Sequence, residues 1–476
     1  MKIPQTTRPF LMAALAIATA ATQNAQQPAR APLPALPAAM SLPKPAPATD
    51  APYAPQPIVA GGIVVPLFPA GSPYLKAEKV RDAEQYNMSQ AVPGRISSIV
   101  NIHNPSIEVH LVEKAINTGS AVIVVAGGGH NTLNVGGEAA DFVPFFYNYG
   151  INTVILRNRL RRDGYNPLTD AVYDAQQAVR MVRAYAKEWN LDPARIGIMG
   201  FSAGAELATP AAVLFEDWDK KNSDPSDPLA GISSRPDFVG VIYPGPTPFA
   251  RNRTAPPIPR NVPPAFVVCG GSGDRVHAVW AMEYYSAMLN VGVPNVEMHI
   301  YGNGRHPGDP LPDGSRMSGG LTDRGAIPYG TWQYRFIDWF RDLGFLQKPG
   351  VETKAAKDIA VYVTQPLPGN GPGGRGGGAG RGGPGGPPPA AGAPPAPVKI
   401  ANGREPSNTR ALGSLNKRSL AVPALRNQHV AEPRPRGSVY SSHAERLPSG
   451  CQTPHYPRHF RMFEAKVLTF GWPSIV

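Results

Sequence analysis

The sequence predicts an α/β fold with a mostly parallel central sheet and helices on both faces, and three observations predict it. Short continuous apolar runs recur, among them Ala121 to Ala126, Ile151 to Leu156 and Ala265 to Cys269. A strand that is apolar on both sides has to be covered on both sides, which is the situation of a parallel sheet. Helical stretches alternate with these runs, as in chains of β-α-β units. The turn Gly200-Phe201-Ser202-Ala203-Gly204 then joins the run Arg195 to Met199 directly to the small-residue run Ala205 to Thr209, giving strand, sharp turn and helix in succession.

The chain opens with Lys2 and Arg8, an apolar stretch from Phe10 to Ala21 and small residues after it. This is the pattern of a secretory signal peptide, placed at residues 1–25, and predicts a secreted or periplasmic protein. The apolar stretch is shorter than the roughly twenty residues a bilayer crossing takes, so no membrane span is expected. Residues 26–59 are rich in Pro and Ala and are expected to form an extended linker with no core of its own.

Residues 60–347 form the expected catalytic body, one domain with ample core. Strands are predicted at Ile96 to Ile102, Ile107 to Val112, Ala121 to Ala126, Ile151 to Leu156, Arg195 to Met199, Phe238 to Tyr243, Ala265 to Cys269 and Val296 to Tyr301. Helices are predicted at Glu138 to Tyr149, Leu168 to Lys187, after Ser202, at Val276 to Val291 and at Thr331 to Leu343. Residues 348–400 read as a Gly/Pro-rich linker, and residues 401–476 as a basic tail without a sustained period and so without a predicted fold.

The formal net charge of +12 invites a nucleic-acid reading, and the location of the charge argues against it. Fourteen basic and four acidic residues follow Thr364, so ten of those twelve charges lie in the tail and the body is nearly neutral. No specific nucleic-acid partner is expected, and a near-neutral body suits an uncharged substrate. The sequence carries no signal for an oligomeric state. Cys269 falls in a predicted buried strand and Cys451 in the tail, which argues against a disulfide. His455 and His459 have metal-ligand spacing, but Pro457 breaks the helix that would align them, and no metal site is predicted. Gly127-Gly128-Gly129 fits neither nucleotide-binding glycine pattern.

The chemistry centres on Ser202. A serine on a strained turn between strand and helix presents its hydroxyl above a sheet, and Gly200 and Gly204 leave room for the neighbouring backbone. The hydroxyl needs a base, and the base an orienting acid, delivered later in the chain from loops after strands. Asp274 follows the strand Ala265 to Cys269, and His306 follows Val296 to Tyr301. Asp237 stands at the entrance of its strand, Asp309 follows the histidine too closely, His299 lies inside a strand and His277 begins a helix, so Asp274 and His306 are preferred. An oxyanion hole is expected from the Gly128 or Gly129 N–H together with that of Ala203. His130 either lines the substrate pocket or packs. Arg157, Arg159, Arg161 and Arg162 are expected to be solvated or ion-paired.

These residues resemble a known family. Ala126-Gly-Gly-Gly-His130, Leu156-Arg-Asn-Arg-Leu160, the run from Asp170 to Arg183, the stretch from Asp192 through Gly204, and the Asp274 and His306 loops are similar to α/β-hydrolase serine esterases related to acetylxylan and feruloyl esterases, including xylanase-linked and lipase-like carboxylesterases. The resemblance covers about Ile99 to Leu343 and implies the α/β-hydrolase fold and a secreted, cofactor-free esterase releasing acyl groups from plant polysaccharide or related small-molecule esters. Two positions depart from it. Ala126 stands where the lipase-type pattern has histidine, and Ala205-Glu206 replaces glycine followed by histidine or asparagine. The same fold also serves lipases and serine peptidases, and inactive relatives serve as binding modules. The loop 306–330 is a candidate lid.

Overall fold

The computed structural model describes residues 32–39, 52–310, 314, 316–322 and 329–367. The signal peptide, the basic tail, most of the Gly/Pro-rich segment and part of the candidate lid lie outside the described residues.

Ten strands are described: β1 Ile63–Pro66, β2 Gln85–Met88, β3 Ile96–Val100, β4 Ser106–His110, β5 Ala121–Val125, β6 Asn152–Arg157, β7 Ile196–Phe201, β8 Val239–Ile242, β9 Ala265–Gly270 and β10 Glu297–Tyr301. Eight of them form one sheet in the order β1-β4-β6-β5-β7-β8-β9-β10, and β2 and β3 make a separate antiparallel pair. From β6 through β10 all neighbours are parallel, while β1 and β4 join as antiparallel strands at one edge. The helices are α1 Phe142–Tyr147, α2 Val172–Ala184, α3 Ala203–Val213, α4 Phe215–Lys221, α5 Arg275–Asn290, α6 Trp332–Asp342 and α7 Lys354–Thr364.

Alternation along each strand distributes the apolar side chains to two cores. Ala121, Ile123 and Val125 of β5 join α2, α3, α5 and α7 on one face, while Val122 and Val124 join α1 and α6 on the other. Every residue of β5 through β9 is buried, which is why these stretches read as unbroken apolar runs; the edge strand β10 is only partly covered. Arg157 and Arg159 are buried and ion-paired, Arg157 with Glu108 at 2.8 Å and Arg159 in a forked contact with Asp174 at 2.7 Å. Asp174 also accepts the Arg159 backbone N–H, so this helix residue locks the end of β6 to α2.

Two expected boundaries are corrected. The Pro/Ala-rich segment is partly bound to the body: Leu33 and Leu36 pack on the core, Tyr185 donates to the Pro34 carbonyl at 2.8 Å, and the Ile58 and Val59 N–H groups donate to Glu108. An extended proline-rich chain has no core of its own but can lie on one. At the other end the body continues past 347. Thr353 caps α7 by accepting the Ala356 N–H, Ile359 and Tyr362 are buried, and Arg195 donates to the carbonyls of Lys348 and Val351. The Gly/Pro-rich composition starts only beyond this helix.

Candidate active site

Local sequence explains the elbow. Ser202 has φ 51° and ψ −118°, a conformation that costs a non-glycine residue energy and survives only where its surroundings impose it. They do so here: the Ser202 N–H donates to the Ile242 carbonyl at 2.9 Å, and the Ser202 carbonyl accepts the N–H groups of Ala205 and Gly245. A Cβ at Gly200 would lie 2.3 Å from the Gly204 carbonyl oxygen, and one at Gly204 would lie 2.0 Å from that of Val125. Both glycines are therefore required by close backbone approach.

The three residues expected to act together converge. Ser202 Oγ lies 2.9 Å from His306 Nε2, and His306 Nδ1 lies 3.0 Å from Asp274 Oδ2. Asp274 stands at the start of α5 but makes no side-chain cap to it, so its carboxylate is left for the imidazole. Burial pushes the Asp274 carboxyl up, but hydrogen bonds from His277 and His306 outweigh it and hold the pKa down at about 2. An ionised carboxylate only accepts, so the His306 proton resides on Nδ1 and Nε2 offers its lone pair to the serine hydroxyl. The competitor Asp237 serves structure instead, accepting the Ile196 N–H and pairing with Arg183 and Arg235.

His277 was assigned only to the start of a helix, and it belongs to this cluster. Its Nδ1 lies 2.5 Å from Asp274 Oδ1, and its ring stacks on that of His306 at 3.6 Å between centroids and 10° between planes. The sequence signal was present: a histidine three positions beyond Asp274 at a helix start returns to the same side of the helix. Among the described residues, Asp274, His277 and His306 are the group whose ligand atoms lie close enough for a metal ion. The two rings stack, and each Nδ1 lies within hydrogen-bond distance of its own Asp274 oxygen, at 2.5 and 3.0 Å.

The glycine loop after β5 lies against the elbow. A Cβ at Gly127 would lie 2.9 Å from the Ser202 Cβ, and Gly128 and Gly129 have φ 127° and 62°. Ala203 is the first residue of α3, where backbone N–H groups point outward and the helix dipole favours negative charge. Among the described residues neither the Gly128 nor the Gly129 N–H donates to a backbone acceptor, whereas the Gly127 N–H is taken by Glu138 at 2.7 Å. Glu138 is fully buried, and burial outweighs its bonds from Gly127 and Tyr243 to push its pKa up to about 7. Tyr243 donates to Glu138 at 3.0 Å, accepts the Gly320 N–H at 3.0 Å and meets the His306 ring edge-on at 5.5 Å. Gly320, within the candidate lid, is thus held to Tyr243.

His130 is buried and packs. Its Nε2 lies 3.0 Å from Glu206, whose other oxygen takes a hydrogen bond from Arg253 at 2.6 Å. Burial works against the Glu206 charge, but the bonds from His130 and Arg253 hold its carboxyl below the ordinary range. Glu206, in the first turn after the elbow, is therefore hydrogen-bonded at both oxygens and ion-paired with Arg253. Along the first turns of α5, an open groove of about 590 Å³ is lined by Arg251, Asn252, Arg275, Val276, Val279 and Trp280.

Sheet order, elbow and downstream loops have one common explanation. The chain has the α/β-hydrolase fold. Residues 107–232 match the family model described as BD-FAE. That segment takes in the glycine loop and Ser202 and ends before Asp274 and His306. The chain is 28% identical over 200 residues to an acetylxylan esterase of Xylanibacter ruminicola, covering 40% of this chain and 41% of that protein. It is 35% identical over 125 residues to endo-1,4-beta-xylanase B of Butyrivibrio fibrisolvens, covering 26% of this chain and 19% of that protein. The chain thus matches less than half the length of each of these two relatives. Among solved structures, an acetyl ester-xyloside bifunctional hydrolase from Caldicellulosiruptor lactoaceticus is 24% identical with a TM-score of 0.44, covering 59% of this chain and 96% of that one.

Proposed function

We propose that the protein is an exported serine carboxylesterase that removes acetyl or feruloyl groups from carbohydrates or small alcohols through an acyl-enzyme. The observation that carries this reading is the continuous relay from Ser202 Oγ through the His306 ring to Asp274. Ser202 attacks the ester carbonyl while its proton passes to His306 Nε2. The resulting oxyanion is stabilised by the N–H groups of Ala203 and of Gly128 or Gly129. On collapse the alkoxide leaves with the proton from His306 Nε2, so an alcohol departs and the acyl group remains on Ser202. Water then repeats the sequence: His306 takes its proton, the hydroxide adds to the acyl carbonyl, and Ser202 Oγ recovers the proton as the acid is released. Asp274 stays ionised throughout and stabilises the imidazolium.

The similarity to an acetylxylan esterase supports a short acyl group and a sugar alcohol, and the amino-terminal signal pattern supports export. Purified protein should hydrolyse p-nitrophenyl acetate and release acetate or ferulate from acylated xylan fragments, with Ser202→Ala abolishing both. A fluorophosphonate probe should label wild type at Ser202. Unlabelled wild type without esterase activity would favour a binding module, and preference for long acyl chains or peptides would favour a lipase or peptidase.

A further inference from the structure

We propose that His277 is a positioning residue for the esterase reaction proposed above, a second imidazole donor that fixes the Asp274 carboxylate at the oxygen His306 leaves free. The Asp274 side chain is 5% exposed, and its two oxygens are divided between two rings: Oδ2 toward His306 at 3.0 Å and Oδ1 toward His277 at 2.5 Å. Since the carboxylate only accepts, His277 Nδ1 carries a proton, as His306 Nδ1 does. A carboxylate held at one oxygen rotates about its last bond; held at both it cannot, and the aim of its bond to His306 is set.

The stacking adds a second constraint. With the His277 face 3.6 Å from the His306 ring, His306 cannot move toward that face, and Trp280 meets the His277 ring at a near-right angle, 5.2 Å between centroids. Packing alone does not explain a histidine here. The His277 side chain is 20% exposed, and it bonds one and stacks on the other of the two groups that prepare Ser202.

Two variants separate donor from ring. His277→Asn places an amide N–H where Nδ1 was, while His277→Phe keeps the stacked ring and removes the donor. With melting temperatures close to wild type, kcat on p-nitrophenyl acetate should fall about tenfold in His277→Phe, with KM within about twofold and most of the rate restored in His277→Asn. A His277→Phe rate equal to wild type, or a His277→Asn rate as low as His277→Phe, overturns the proposal. Proton NMR tests the hydrogen bond without any substrate. Wild type should show two downfield imidazole N–H signals, and His277→Phe should lose one and shift the other; two unchanged signals in that variant also overturn it. Wild type that shows both signals yet hydrolyses no ester would instead defeat the esterase reading.

Discussion

Gly204 and Val125 approach so closely that a Cβ on the glycine would lie 2.0 Å from the valine carbonyl oxygen. The first turn of α3 therefore presses on the end of β5, and the backbone of β5 has no freedom to yield inside a sheet paired on both sides. Gly204→Ala should destabilise the protein by about 2–3 kcal/mol, lowering the melting temperature by roughly 5–10 °C. Calorimetry on the purified variant checks this, and a melting curve superimposable on wild type would refute the close-approach argument.

Asp274→Asn keeps the shape of the acid and removes its charge. An amide cannot accept from both Nδ1 protons, so the His306 ring loses both its imposed tautomer and the anion that stabilises its charged form. A fall in kcat on the order of 10³- to 10⁴-fold is expected on p-nitrophenyl acetate, with KM changing far less. Retention of more than a tenth of the wild-type rate would show that Asp274 does not hold the base.

Glu138 makes stability depend on pH. Its folded pKa of about 7 lies above the ordinary 4.5, so the folded state holds a proton that the unfolded chain has released. The Glu138 contribution to stability is therefore fully present below about pH 4.5, declines as pH rises toward 7 and is lost above it. Glu138→Gln removes this ionisation while still accepting the Gly127 N–H. Between pH 5 and pH 8 the variant should show a smaller drop in melting temperature than wild type; an equal drop would place the titration elsewhere.

The Glu206 network predicts a coupling. Arg253→Ala leaves a nearly buried carboxylate with His130 as its remaining partner, and should cost about 1–3 kcal/mol. Glu206→Gln in the same chain should recover part of that loss, because the charge left without its arginine is gone. Urea unfolding of the two single variants and the double variant measures this, and strictly additive effects would mean that the pair is not coupled.

The elements legible in the sequence were those whose pattern is local. Ala121 to Ala126 reads as a buried strand because both its faces are apolar, and Ser202 reads as a nucleophile because the glycines two positions to either side report a tight turn. The short strands Ile63–Pro66 and Gln85–Met88 and the helices Phe215–Lys221 and Lys354–Thr364 were not anticipated. The two strands are only four residues each, and Lys354–Thr364 lies beside a Gly/Pro-rich stretch that masks its period. Asp274 and His306 are legible as candidates through chain order, since each follows a strand, and the fold brings both to Ser202.

By itself the sequence determined the layered sheet, the elbow, and the order of serine, acid and base, because hydrophobic period and turn chemistry are written in neighbouring residues. Only the tertiary structure decided that Asp274 serves two imidazoles, that Glu138 holds the Gly127 N–H, and that His130 and Arg253 both hydrogen-bond Glu206. The contacts of His277 with Asp274 and of Glu138 with Gly127 lie within one loop or turn each; the others join residues brought together by the folding of the sheet. A polar side chain does not announce its distant partner, since hydrogen bonding and burial are set by what the fold places a few ångströms away.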